Sequence, residues 1–385
     1  PQSHPLGGRH QRHRGGGGGG GINLRSLFDK IPSDYLFWYS INVDITTKKY
    51  WRPEVLRSQF PFHTPGKNKF IISWFYRYIF FIVELIINSV ILNKIASKTK
   101  SSLLWVVVDK DNIFQYFLLI KILNIPYHVS VQDDPEVSLA LLGKKISKIE
   151  KYLFKKILQE AKTRDSTSLP MAEYYEAKFN TPSVWLTRSI PKTTLNLKFE
   201  KRNNITFSNS VNLILAGWGD CADPWPMMLI DALEIFEKKY KLNIHLYSFD
   251  PSLARYKSNN VTICNRMSST DFETFIDSMH IGYAPDNLDD NYQLFAETSL
   301  SVKMLTYIFN CMPSLYHGPR KSSIGQLFSK YKAGVIVDSN DPEIISNALY
   351  ELFVNYSDYS DSAFKLSQKY FLEDEMHLKV NKLLD

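Results

Sequence analysis

The sequence predicts an α/β protein built from two parallel-sheet domains that face each other across a cleft. Three observations lead there. Apolar runs of strand length alternate with stretches of helical period, and the alternation occurs twice along the chain. The strand runs are apolar throughout, as expected of strands covered on both faces. A polar stretch, KFEKRNNITFSNS (198–210), separates the two series.

The 385 residues are enough for two hydrophobic cores. The opening PQSHPLGGRHQRHR is rich in His and Arg and is followed by seven glycines, 15–21. It has neither the apolar core nor the small-residue cleavage site of a secretory signal. It reads as a low-complexity tail over 1–18, and nothing in it resembles the strand that would open a domain of this kind, so that strand is expected to be missing. From residue 19 the last glycines run into an amphipathic helix at 22–28, then the apolar strand YLFWYSIN (35–42). FIISWFYRYIFFIVELIINSVIL (70–92) reads as a long helix, largely buried and touching a membrane surface. Arg77 and Glu84 interrupt it, so no uncharged run reaches the ~20 residues that a membrane span needs.

The strand LLWVVVD (103–109), the helix IFQYFLLIKIL (113–123), the strand PYHVSVQD (126–133), a long basic helix over 135–161 and the strand SVWLTRSI (183–190) complete a first domain, 19–195. His128 alternates within its strand and reads as core-facing. A linker is expected at 196–210. The second domain, 211–385, shows strands at 211–217, 243–249, 260–264, 281–286, 313–317 and 334–338. Helices are predicted between and after them at 226–239, 270–279, 301–311, 323–331 and 342–354. Ser323 with Gln326 reads as a capping box, and Asp341 before Pro342 as an N-cap with proline in the first turn.

Three cysteines, Cys221, Cys264 and Cys311, lie far apart without a CxxC pair or a histidine at metal spacing. They predict neither a disulfide framework nor a zinc site, and a reducing setting follows. The net charge of +7 conceals an asymmetry: residues 1–195 carry 28 Lys and Arg against 15 Asp and Glu, while residues 196–385 carry 18 against 24. A basic half facing an anionic partner, a membrane surface or a nucleic acid, is the implication.

In open parallel sheets ligands bind beyond the carboxyl ends of the strands. The loops there are Gly20 and Gly21, QDDP (132–135), GWGDCADPW (217–225), NRMSS (265–269), APDNLDD (284–290) and HGPRKSS (317–323). Glycines before a helix let backbone N–H groups approach an anion, which suits Gly217 and Gly219, and Gly318 ahead of Arg320, Lys321 and Ser323. No P-loop motif occurs, and a strict G-x-G-x-x-G is absent outside the glycine tract. The helix over 301–311 carries an apolar stripe, with Lys303, Thr306, Tyr307 and Asn310 on another face. At a cleft, that face would meet ligand rather than water. Arg266 follows a strand end, and Asp133 is an acidic candidate after another.

The segments GGGINLRSLF, VSVQDDP, NLILAGWGD, SVKMLTYIFNCMPSLYHGP and AGVIVDSNDPEIISNAL together resemble the GT-B glycosyltransferases of the large family-four-like group. The likeness is to the bacterial sugar transferases that build surface polysaccharides. It spans about 19–349 and is sharpest over 299–349. That family's signature helix reads S-x-K-x-x-E-Y-x-x-x-G-x-P, and Ser301, Lys303, Tyr307 and Pro313 match it. Thr306 stands where the ribose-binding glutamate belongs, and Asn310 to Met312 replace the small-Gly-Lys turn. The arginine and lysine that follow GWGD in the family are also missing.

The resemblance implies two Rossmann-like domains and a nucleotide-sugar donor of UDP or GDP type bound to the second. Gly20, Gly21, Gly217, Gly219, Arg266, Lys303, Thr306, Tyr307, Gly318 and Ser323 become donor-binding candidates, and Glu297 and Asp133 catalytic ones. It further implies a retaining, metal-independent hexosyl transfer with no cofactor. The acceptor would be a lipid-linked or saccharide hydroxyl at the cytoplasmic face of an anionic membrane, with no nucleic acid partner. Restoring glutamate at 306 is expected to tighten donor binding. A non-catalytic nucleotide-sugar-binding protein and a nucleotide-sugar epimerase are the alternatives.

Overall fold

The computed structural model describes residues 27, 39–40, 56–57, 70–108, 110, 113–141, 143–207, 209–217, 225–256, 258–265 and 267–384. The chain divides into two compact units, 1–101 and 102–385. In the first, Leu27 is helical and buried, and two short strands, β1 (Tyr39–Ser40) and β2 (Leu56–Arg57), pair in parallel. Helix α1 (Phe70–Thr99) follows. Its burial differs from the expectation of a largely buried helix: Ile82, Val83, Ile86 and Val90 are exposed, while the polar Asn88 and Ser89 are buried. No helix among the described residues is long and apolar enough to cross a membrane.

The second unit holds both large sheets, and every pairing in them is parallel. A four-stranded sheet has the order β3 (Leu104–Val108), β4 (Tyr127–Val131), β5 (Thr163–Ser166), β6 (Val184–Trp185). Helices α2 (Ile113–Leu123), α3 (Pro135–Ala140), α4 (Lys148–Glu160) and α5 (Leu169–Phe179) accompany it. Val129, Val131, Phe154, Ile157, Met171 and Tyr175 are the centre of its core. Strand β5 escapes the apolar pattern because its sequence, TRDS, is polar throughout. Its charges are satisfied by particular partners instead. Asp165 meets the buried His128 at 2.6 Å and accepts from Ser130 at 3.0 Å, and Arg164 donates to the carbonyls of Leu158, Gln159 and Ala161. The helix expected over 135–161 is two helices, broken at Gly143, where φ is +67°, and restarted by a capping box of Ser147 with Glu150.

The six-stranded sheet runs β12 (Val335–Val337), β11 (Ser314–His317), β10 (Ile281–Pro285), β7 (Ser210–Leu215), β8 (Asn243–Ser248), β9 (Val261–Ile263). Its helices are α7 (Trp225–Tyr240), α8 (Ser269–Asp277), α9 (Gln293–Thr298), α10 (Val302–Phe309), α11 (Ser323–Tyr331) and α12 (Pro342–Val354), followed by α13 (Tyr356–Tyr370) and α14 (Glu373–Leu384). Asp341 caps α12 through the Glu343 N–H, as its sequence suggests. For α11 the cap is one residue earlier than expected. Ser322 accepts from Gly325 N–H at 2.9 Å, and a Cβ on Gly325 would meet the Arg320 carbonyl at 2.3 Å, so only glycine fits the third position of this turn. Gln326 instead donates to the Lys321 carbonyl.

The stretch 198–210, expected as a linker, is helical in its first part, within α6 (Lys192–Asn203). Buried contacts hold it there: Leu195 is fully buried and Phe199 stacks on Phe364. Arg202 is buried and donates to the carbonyls of Ile276, Met279 and Asn310, the trailing ends of α8 and α10. A cation at the negative end of two helices is favourable placement.

Candidate functional site

The chain reaches β8 and β9 on one side of β7, then returns to place β10, β11 and β12 on the other. Strands β7 and β10 therefore flank the point where the winding reverses, and crevices form beyond the carboxyl ends of such strands. Helix α10 closes over this point. Tyr307, fully buried, accepts from the Ala216 N–H at 2.8 Å, and its hydroxyl lies 3.1 Å from the Ile214 carbonyl and 3.0 Å from that of Tyr283. A Cβ on Gly282 would sit 2.5 Å from the Tyr307 ring, so glycine lets the helix approach the sheet. Tyr307 is thus a strut that ties α10 to β7 and β10, and its hydroxyl faces the backbone.

This strut places Lys303 one turn earlier, over the end of β7. Gly217 has φ +95°, a conformation that favours glycine, and a Cβ there would lie 3.7 Å from Lys303 Cδ. The Lys303 stem therefore lies along the β7 turn. Its charge acts on Asp286, at the end of β10. Burial raises the Asp286 carboxyl; hydrogen bonds from Tyr316 and Tyr292, and the nearby Lys303, oppose that rise. Gly318 is small because Tyr316 and Asp286 meet there: a Cβ would fall 2.6 Å from the Tyr316 ring and 2.8 Å from the Asp286 Cβ. The Gly318 N–H is donated to the Val337 carbonyl and so is committed to the sheet.

The helix ends in a left-handed turn at Cys311, φ +49°, with Cys311 N–H on Ile308 O and Met312 N–H on Tyr307 O. Glycine adopts this turn without strain, so the cysteine is conformationally expensive here. Its thiol is pushed up to about 12, chiefly by burial.

The carboxyl ends of the four-stranded sheet reach the end of α9 and, through Arg188, helix α10. Asp133, after β4, accepts from Ser299 at 3.0 Å, and Ser168, after β5, donates to the Thr298 carbonyl. Beside it, Asp134 caps α3 and accepts from the buried Tyr175. Arg188, beyond β6, donates to Thr306 Oγ1 at 2.8 Å. Loops from both sheets thus meet across the 299–306 segment, with Asp133 exposed and Lys303 partly exposed.

Glu297 accepts from Gln293 at 2.7 Å, and its carbonyl accepts from the buried Ser323 hydroxyl at 2.6 Å. Its side chain lines an open groove of ≈ 620 Å³ with Arg320, Lys321, Gln326, Ser329 and Lys330. This groove does not include Lys303 or Gly217. Through its hydroxyl Ser323 holds α11 against α9. Gly20, Gly21, Gly219 and Arg266 lie outside the described residues. Among the described residues, no three His, Cys, Asp or Glu side chains are grouped to hold a metal ion. Sequence reasoning assigns no role to Arg188, and Asp286 appears in it only within the candidate loop 284–290. Asp286 was accessible as the acidic residue ending an apolar strand, whereas nothing near Arg188 in the sequence marks it.

No protein-family model and no curated protein matches the sequence. Solved structures do resemble it. A sucrose-phosphate synthase from Thermosynechococcus elongatus aligns with TM-score 0.65 and 13% identity, over 95% of this chain and 92% of that one. A glycosyltransferase from Rickettsia africae aligns with TM-score 0.59 and 11% identity, over 86% and 84%. HepE from Anabaena, solved in complex with UDP and glucose, aligns with TM-score 0.56 and 9% identity, over 86% and 85%. At these identities the likeness is one of fold. Two all-parallel sheets of four and six strands match the GT-B arrangement of these glycosyltransferases.

Proposed function

We propose that this chain is a glycosyltransferase that moves a sugar from a nucleoside diphosphate donor to a hydroxyl on a lipid-linked or polysaccharide intermediate. The observation that supports it most is Lys303, laid along the Gly217 turn where the winding of the six-stranded sheet reverses. A cation and the amino-terminal turn of α10 converge there, at the place where a phosphate-bearing ligand is best received. HepE, of the same fold, is a protein solved with UDP-glucose, which fits a donor of this class.

In this reading, 211–385 holds the donor and 19–195 the acceptor, with 196–210 between them. As the glycosidic bond breaks, negative charge grows on the leaving diphosphate and the sugar becomes oxocarbenium-like. Fixed positive charge aimed at the diphosphate stabilises that state more than the ground state. In this reading Asp133, exposed on the opposite loop, takes the acceptor proton, and Glu297 is the second catalytic acid. Side-chain cations rather than a metal serve the diphosphate, no cofactor beyond the donor is required, and the anomeric configuration is retained. The basic 1–195 half and the exposed Ile82, Val83, Ile86 and Val90 of α1 support peripheral docking on the cytoplasmic face of an anionic membrane.

The test is incubation of the full chain with a panel of UDP- and GDP-sugars. Donor hydrolysis, or transfer to an added acceptor, is the expected result. Isomerised free donor would make it an epimerase, and binding without turnover a nucleotide-sugar-binding protein; either overturns the proposal.

A further inference from the structure

Arg188 sits on the connection that leaves the four-stranded sheet after β6. Its Nη1 donates to Thr306 Oγ1 at 2.8 Å, and the guanidinium carbon lies 5.3 Å from the centre of the Phe309 ring. A guanidinium has five N–H donors in a planar fork. Among the described residues, Thr306 is its one hydrogen-bond acceptor, and no carboxylate lies within ion-pair distance of it. Burial lowers its pKa, opposed by the charge of Glu273 farther off. A half-buried cation held by one neutral hydroxyl has lost water without gaining a counter-charge, which is unfavourable in the empty protein.

The surroundings of Lys303 differ, because Asp286 feels its charge directly. Thr306 lies one helical turn beyond Lys303, so the two cations meet the same face of α10, Lys303 at its first turn and Arg188 one turn further along.

We propose that Arg188 is a phosphate-binding residue of the donor site, presenting its remaining N–H donors to the diphosphate while Lys303 approaches from the other half. The inference rests on the transferase reading above. The planar fork matches two oxygens of a phosphate, and such charge-assisted pairs are among the stronger hydrogen bonds. Thr306 and Phe309 hold the fork in place. A glutamate at 306 would pair with Arg188 and withdraw it from the ligand, so the threonine keeps the guanidinium available. This reverses the expectation that Thr306→Glu tightens donor binding.

Calorimetry on the full chain with UDP, GDP and their monophosphates tests it. Arg188→Met keeps the packing against Phe309 but removes the charge. It should weaken diphosphate binding by roughly ten- to a hundredfold, shrink the advantage of diphosphate over monophosphate, and leave the melting temperature unchanged or raised. Thr306→Glu, with Arg188 intact, should lower diphosphate affinity as well, and Arg188→Lys should restore part of it. If the parent binds UDP or GDP and both Arg188→Met and Thr306→Glu bind it equally, the inference is overturned and the transferase reading stands. If Arg188→Met fails to fold while folded Thr306→Glu binds diphosphate like the parent, the inference is also overturned. If the parent binds none of these nucleotides, the reading falls and takes the inference with it.

Discussion

Lys303 shows how much a side chain's meaning depends on the surface beneath it. On an isolated helix a lysine beside two hydroxyls and an amide is a solvated face. Here Thr306, Tyr307 and Asn310 are all buried, and only the first turn of α10 opens outward. Thr306 accepts from Arg188, Tyr307 is bonded to the sheet backbone, and Asn310 donates to the Thr306 carbonyl. Lys303 alone of the four presents a charge at the turn after β7. Lys303→Ala leaves the apolar stripe of the helix untouched, so the melting temperature should hold. Loss of a charge-assisted phosphate contact should cost on the order of 1.5–3 kcal/mol, about tenfold to over a hundredfold in affinity for UDP or GDP. Calorimetry with the variant decides it, and equal affinity at equal stability would show that this lysine faces water.

At the scale of the element, α10 is positioned by one hydroxyl rather than by its stripe alone. Tyr307→Phe keeps the ring beside Gly282 but strands the Ala216 N–H and reduces the bonding of the Ile214 and Tyr283 carbonyls. A buried group left unpaired costs about 1–3 kcal/mol, so thermal melting should fall by several degrees. An unchanged melting temperature would mean that water replaces the hydroxyl and that the helix is anchored elsewhere. Helices such as α2, α11 and α12 were legible because their apolar period lies within a dozen residues, and α12 because its Asp341 cap is local as well. Strand β5 and helix α6 were not, because what stabilises them is distant in sequence. Asp165 needs His128, and Arg202 needs the carbonyls of Ile276, Met279 and Asn310. The candidate site divides in the same way. Lys303 could be read from its own helix, whereas Arg188 acquires meaning only when the fold sets it against Thr306, 118 residues away.

Across the whole molecule, charge is distributed as unevenly as hydrophobicity. The half up to residue 195 carries 28 basic against 15 acidic side chains, and the remainder is net acidic. In helix α1 the exposed Ile82, Val83, Ile86 and Val90 precede the exposed Lys94, Lys98 and Lys100. An apolar strip followed by lysines suits the boundary between acyl chains and anionic headgroups. Near such a surface each basic residue contributes about 1 kcal/mol, and salt screens that attraction beyond a Debye length of roughly 10 Å at 0.1 M. The full chain should therefore sediment with vesicles containing anionic lipid at low salt and much less with neutral ones. High salt should release most of it, since the apolar strip is short and no described helix is apolar enough to cross the bilayer. Equal binding to neutral vesicles would show that charge is not the attraction, and retention through high-salt and carbonate washes would show insertion rather than surface docking.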